Sequence, residues 1–311
     1  MNNIICIDGP TASGKTALAV ALAKQIDGEV VSCDSMQIYR GMDIGTAKPT
    51  PEEMQGVVHH MLDVVNPQED FSVSRYCELA TPIIDDILSR GKRAIIAGGT
   101  GLYMDALIRG NSFAPYPSTG IREELELKAD RIGMEAILAE LAKIDPETAS
   151  RLHLADRKRI LRALEVYYET GETISAHNHK TQAVPPRYTP VWLALEDENR
   201  ADLYQRIDSR VGEMLRRGLL NEIKALLAAG VPQKCTAMQA IGYKEFVDAL
   251  DGKCTIEEAA DLVRQSSRHY AKRQLTWFRR NSAIHWLKRS KNDSTKEILL
   301  CSLQVLTNFD T

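Results

Sequence analysis

The sequence predicts an α/β protein: a mostly parallel sheet whose strands alternate with helices, interrupted by a helical insertion. Three observations carry this expectation. Short β-branched apolar runs recur at 3–8 ("NIICID"), 29–33 ("EVVSC"), 94–98 ("AIIAG"), 190–195 ("PVWLAL") and 283–287 ("AIHWL"). Helical stretches such as "GKTALAVALAKQI" and "SVSRYCELATPIIDDILSRG" separate them; strands joined through helices need crossover connections and so pair in parallel. The alternation then stops between about 114 and 189. There "APYPSTG" is turn chemistry, helical patterns run up to Gly171, and the polar, proline-ended "HNHKTQAVPPRYTP" follows. The strand signal resumes only at Pro190, and 199–280 is again mainly helical. The expected organisation is a core formed by 1–113 and 190–311, ending in basic helices, with 114–189 as the insertion.

Composition bounds the function. The chain of 311 residues is long enough for a sizeable core, and 44% hydrophobic with 26% charged residues is ordinary for a globular protein. No apolar run approaches the roughly 20 residues that a membrane span needs. The strand-like start gives no sign of a signal peptide. Six scattered cysteines (Cys6, Cys33, Cys77, Cys235, Cys254, Cys301) argue against a disulfide framework or a metal cluster and fit a reducing cytoplasm. Nothing in the sequence calls for an obligate protein partner, and a monomer is expected. The net charge of −3 hides an asymmetry: residues 1–199 hold 20 basic and 29 acidic side chains, whereas 200–290 hold 17 and 10. A basic C-terminal half on an acidic protein suits a polyanionic partner.

The first strand runs into "GPTASGKT", residues 9–16. Gly9 and Gly14 permit a tight loop whose backbone N–H groups, through Pro10, Thr11, Ala12 and Ser13, converge on an anion. The helix that follows adds its N-terminal dipole. Lys15 supplies a point charge, and the Thr16 hydroxyl is the usual ligand of Mg²⁺ in such loops. The core is therefore P-loop NTPase-like. One part is missing. The strand 94–98 ends in "GGTGLY", with no acid to help hold Mg²⁺ as a nucleotide hydrolase would require. The carboxylate nearest the loop by topology is instead Asp34, at the carboxyl end of the second strand, where parallel sheets bind ligands. A helix N-cap is the competing reading of Asp34. Asp43 competes for an acidic role from a glycine-flanked loop. His59–His60 lack further residues at metal-ligand spacing and read as structural.

Two basic stretches remain. In "ADRKRILRALEVYYETG" (155–171), Arg157, Lys158, Arg159 and Arg162 crowd into two helical turns, with Ile160, Leu161, Leu164 and Val166 at apolar positions. In "RQSSRHYAKRQLTWFRR" (264–280), Arg264, Arg268 and Lys272 are spaced by four and form a stripe. Both suit phosphate-backbone contact, and both could equally be solvated helix faces. Tyr270 could stack on a base; Trp277 and Phe278 read as core.

The set "GPTASGKT", "CDSMQIYRGMDIGTAKP", "HHMLDVVNP", "GGTGLY", "DRKRILRALEVYYETG" and "AIGYKEF" occurs in the order seen in tRNA dimethylallyltransferases, also called IPP transferases, over roughly residues 4 to 287. The resemblance is to the form without an appended zinc finger. It implies transfer of a dimethylallyl group from its diphosphate to N6 of the adenosine just 3′ of the anticodon of tRNA. The P-loop would then hold the donor's diphosphate, with Mg²⁺ on Thr16, and Asp34 would be the general base. Arg210, in "RIDSRVGEML", resembles the family arginine that contacts the diphosphate, with Arg206 one turn earlier as a competitor. Family tRNA contacts map to Ser35, Met36 and Gln37 beside the base, to Thr100, to Arg122, to Lys158, Arg159, Ile160, Leu161 and Arg162, and to Gln239, Ala240, Ile241, Gly242, Tyr243 and Lys244. A stacked base cannot be alkylated, so the adenosine is expected to be flipped into a channel between the core and the basic helices. The rivals are an adenylate prenyltransferase, a P-loop small-molecule kinase and an RNA-binding ATPase switch.

Overall fold

The computed structural model describes residues 4–111 and 119–310. Contacts divide the chain into two compact units, Met1–Gly110 with Arg187–Thr311, and Asn111–Pro186.

In the first unit, β1 (Ile4–Asp8), β2 (Gly28–Cys33), β3 (His59–His60), β4 (Arg93–Gly98), β5 (Val191–Asp197) and β6 (Ile284–Arg289) form one parallel sheet in the order β3-β2-β4-β1-β5-β6. β1 lies between β4 and β5, so its residues are all buried and its run is continuously apolar up to Asp8. The five predicted strands are all present. β3 was not foreseen: His59 and His60 pair with Val30 and Val31 along the edge, and two residues carry no readable alternation.

The helices of this part are α1 (Lys15–Ile26), the single turn α2 (Pro51–Met54), α3 (Val73–Ser89) and α4 (Gly101–Arg109). α1 buries Leu18, Ala19, Leu22 and Ala23 against Ile5, Ile7, Leu193 and Leu195 of the sheet. Ser72 opens α3, its side chain accepting from the Arg75 N–H.

The second unit contains α5 (Ile121–Ile132), α6 (Met134–Ile144), α7 (Pro146–Ala149), α8 (Arg157–Thr170) and α9 (Ile174–Ala183). Leu125, Ile137, Leu141, Ile160, Leu161 and Leu164 form its separate core. The predicted turn "APYPSTG" and the predicted insertion start at 114 fall at 114–118 outside the described residues. α9 takes up much of "HNHKTQAVPPRYTP". It was not foreseen because it has no buried stripe; its cue is Thr173, whose side chain caps the Ala176 N–H.

The chain rejoins the first unit beside the point where it left: Arg187 N–H donates to Arg109 O at 3.3 Å and Tyr188 N–H to Ile108 O at 3.1 Å. After β5 come α10 (Arg200–Arg216), α11 (Leu219–Ala228), α12 (Tyr243–Leu250), α13 (Ile256–Phe278) and, after β6, α14 (Thr295–Asp310). α13 opens on a capping box, Thr255 with Glu258.

The glycines that end β4 mark where α13 and β2 come close. A Cβ on Gly98 would lie 1.9 Å from the Cys33 carbonyl oxygen. On Gly99 it would lie 2.2 Å from Gln274 Nε2, and on Gly101 2.2 Å from the Trp277 ring. The acid missing after β4 thus has a steric reason: packing already fills that space.

At the other end of the sheet Glu29 is buried on β2. It accepts from Arg90 at 2.5 and 2.8 Å, bonds His60 Nε2 at 2.8 Å and lies 3.3 Å from Lys92 Nζ. The Arg90 hydrogen bonds, ahead of those from His60 and Lys92, hold its carboxyl down at about 2. A folded value below the unfolded one contributes stability above pH about 4.5 that is lost as pH falls toward 2. Glu29→Gln should therefore cost about 2 kcal/mol at pH 7, and the two urea unfolding midpoints should converge as pH approaches 2; a constant gap down to pH 2.5 would show that the ion pairs are not its source.

Candidate active site

The P-loop is shaped from outside as much as by its own glycines. Gly9 has φ +147 and Ala12 sits in the left-handed region at φ 63. Its carbonyls face cations: Lys15 Nζ donates to Pro10 O at 2.7 Å, Arg206 Nε to Ala12 O at 3.0 Å, and Arg289 Nη1 to Ser13 O at 3.0 Å. Thr11 N–H donates to Gln274 Oε1 at 2.8 Å, while Gln274 Nε2 donates to Gly99 O at 2.9 Å. α1 begins with no side-chain cap on its first turn, so its N-terminal amides are left to an anion. Gln274, Arg206 and Arg289 were not identified as loop supports from sequence; they lie 190 or more positions from the loop, and only the fold brings them there.

Two adjoining cavities open above this edge of the sheet. The first, about 500 Å³, is lined by the loop from Thr11 to Ala17, by Gln55, and by Glu213 and Arg217 of α10. The second, about 370 Å³, is lined by Ser35, Met36, Gln239, Ile241, Lys244 and Arg273, among others. Thr11, Asp34, Thr46, Arg210, Met214 and Tyr270 belong to both. Asp34 thus stands at their junction. Its Oδ1 accepts the Met36 and Gln37 N–H groups at 2.8 and 3.3 Å; it caps a turn over residues 35–38 rather than the helix the competing reading expected, and these bonds also fix the carboxylate beside the cavities. Thr100 Oγ1 accepts from the Ser35 N–H at 3.1 Å and steadies the same turn.

The other acids sort by environment. Asp8 is buried directly below the loop with neither carboxylate oxygen hydrogen-bonded; burial, reinforced by Asp105, pushes its carboxyl well up against the opposing charge of Lys15. Asp43 is paired with Lys48 at 2.6 Å and serves the loop. The competing arginines separate as well. Arg206 is held by Asp197 at 2.5 Å and by the Ala12 carbonyl, whereas Arg210 lines both cavities.

Several expected RNA contacts change. Ile160, Leu161 and Tyr243 are core side chains, at 0%, 1% and 0% exposure; Ala240 and Gly242 are buried too. A helix that shows Lys158, Arg159 and Arg162 outward must turn Ile160 and Leu161 inward. Gln239 and Lys244 are exposed. The Gln37 side chain is spent on its own loop, donating to Thr46 O and Ala47 O and accepting from Ser32. Arg122 bonds Glu126 and Glu165. In the stripe on α13, Arg264 pairs with Glu257 and Asp261, and Arg268 with both oxygens of Asp208. Lys272, on the same stripe, is exposed.

A family model described as IPP transferase matches residues 37–281. The chain is 48% identical over 292 residues to tRNA dimethylallyltransferase 2 of Geotalea uraniireducens, covering 94% of each chain. It is 43% identical over 300 residues to tRNA dimethylallyltransferase of Acetivibrio thermocellus, covering 96% of each. Among solved structures, the full-length tRNA isopentenylpyrophosphate transferase of Bacillus halodurans aligns with a TM-score of 0.74 at 42% identity, over 100% of this chain and 97% of that one. A eukaryotic dimethylallyltransferase acting on tRNA aligns with a TM-score of 0.82 at 29% identity, over 99% of this chain and 80% of that one.

Burial, with Arg210 adding to it, lowers the Lys15 ammonium to about 8, although Asp34 and Asp8 oppose the shift. A cation whose folded value is depressed loses its proton as pH rises through that value. Inorganic diphosphate should therefore bind more weakly above pH 8, by up to about tenfold per pH unit relative to Lys15→Arg, whose guanidinium stays charged. Calorimetric titration of both proteins from pH 7 to 9.5 checks this; parallel curves would rule it out.

Proposed function

This chain belongs to the IPP transferase family, and on that premise we propose that it transfers the dimethylallyl group of dimethylallyl diphosphate to N6 of the adenosine 3′ to the anticodon in tRNA. The observation that carries the reading is Asp34 at the junction of two cavities, one walled by the phosphate loop and the other by the 239–244 segment. The donor's diphosphate sits in the first, and the acceptor base enters the second.

The chemistry follows from the groups at that junction. The N6 lone pair forms a bond to C1 of the dimethylallyl group. The C1–O bond breaks and its electron pair leaves with diphosphate. The amine is a feeble nucleophile because its lone pair is delocalised into the ring, so the departing N6 proton passes to the Asp34 carboxylate. Lys15, Arg210 and the first-turn amides of α1 meet the charge that grows on the leaving group. Mg²⁺ fits this donor set. No cluster of three or more His, Cys, Asp or Glu able to hold a metal occurs among the described residues. Mg²⁺ characteristically needs no such cage, taking one or two protein oxygens and completing its shell with substrate phosphates and water. Thr16 would supply the first, with Asp34, Glu53 and Glu213 in the same cavity. When bound, the ion would neutralise part of the diphosphate charge. Exposed Lys158, Arg159 and Arg162 on α8 of the second unit supply phosphate-backbone contacts. No helix among the described residues is long and apolar enough to cross a membrane.

Incubation with dimethylallyl diphosphate and unmodified tRNA should yield N6-dimethylallyladenosine on mass spectrometry of the digested RNA. Product from AMP instead, or consumption of ATP, would overturn the assignment. Asp34→Asn keeps the capping acceptor but cannot take a proton, so single-turnover transfer should fall by about 10²–10⁴ with donor and tRNA affinities near wild type. A fall below tenfold would return Asp34 to capping alone. Arg159→Glu with Arg162→Glu should weaken tRNA binding and lower its salt slope by about one per lost phosphate contact, with donor affinity unchanged; unaltered tRNA affinity at low salt would remove α8 from the interface.

A further inference from the structure

The stretch "RGMDIGTAKP" (40–49) is longer than a phosphate site alone requires. Three of its consecutive amides converge on one carboxylate of α11. Asp43 and Ile44 donate to Glu222 Oε2 at 2.9 and 2.7 Å, and Gly45 donates to Oε1 at 3.1 Å. The Tyr243 hydroxyl donates to the same Oε1 at 2.6 Å. Four donors on one half-buried carboxylate are charge-assisted bonds of the stronger kind. The Tyr243 ring also presses on the loop, since a Cβ on Gly45 would lie 2.4 Å from it. At the far end, buried Lys48 donates to Tyr39 O at 2.9 Å and pairs with Asp43 and Asp63 at 2.6 Å each. Thr46 Oγ1 donates to Met42 O at 2.6 Å.

This anchored loop presents Ile44, Ala47 and Pro49 to the first cavity, opposite the phosphate loop. Their side chains offer no group to grip phosphate; they are suited to a short hydrocarbon.

We propose that Glu222 is a positioning residue for the prenyl donor. It holds the 43–49 loop as the apolar wall against which the donor's carbon chain packs, while the diphosphate is left to the P-loop. This inference rests on the reading of that cavity as a prenyl diphosphate site. Glu222→Gln keeps the shape but replaces one acceptor oxygen by a donor facing N–H groups. The KM for dimethylallyl diphosphate should rise about tenfold, the size expected for loss of charge-assisted bonds, with kcat changed much less. The affinities for inorganic diphosphate and tRNA should be unaltered. Tyr243→Phe removes only one of the four bonds and should move donor KM the same way by a smaller factor.

A donor KM unchanged in Glu222→Gln overturns the proposal. So does equal weakening of donor and inorganic diphosphate, which would place the effect on the phosphate loop. Should Glu222→Gln lower Tm sharply, Tyr243→Phe decides: a donor-specific shift supports the proposal and none overturns it. Absence of any tRNA prenylation by the wild-type protein is a separate result, which removes the prenyl-donor reading itself.

Discussion

The contact on which the site depends is the approach of α13 to the carboxyl end of β4. It is possible only because positions 99 and 101 lack a Cβ. It brings the Gln274 amide into the gap between two backbones, accepting from Thr11 and donating to Gly99. A single buried amide satisfying a donor and an acceptor is well matched, whereas either group left alone in that position would cost about 1–3 kcal/mol. The same contact excludes an acid from the strand end. The carboxylates of the adjoining cavity come instead from Asp34, Glu53 and Glu213.

Electrostatics then divide the labour. Cations grip the carbonyl side of the P-loop at Pro10, Ala12 and Ser13. Of the carboxyl groups near the loop, Asp8 is enclosed, Asp43 is bound to Lys48, and Asp34 faces both cavities.

The strands were legible because a parallel core writes itself as short β-branched runs, and the phosphate loop because glycine, lysine and threonine at fixed spacing have few other uses. Asp34 was legible from topology. Gln274, Arg289 and Glu222 were not, since each acts through a partner far away in sequence and none belongs to a spacing pattern. The acidic partners of the basic stripe on α13 were hidden for a related reason: periodicity shows which face a charge occupies but not that Asp208 or Glu257 waits opposite it. Ile160, Leu161 and Tyr243 are buried because a helix cannot present every residue of a run to one side.

The backbone pair joining Ile108 and Arg109 to Arg187 and Tyr188 makes the second unit a detour with a closed base. The two backbone bonds close the excursion at its base whatever the length of what lies between. Closing a longer loop at such a neck adds little entropy cost, because that cost grows only with the logarithm of length. The arrangement is modular: at this neck the second unit can be enlarged, trimmed or replaced while the sheet of the first unit keeps its own pairing.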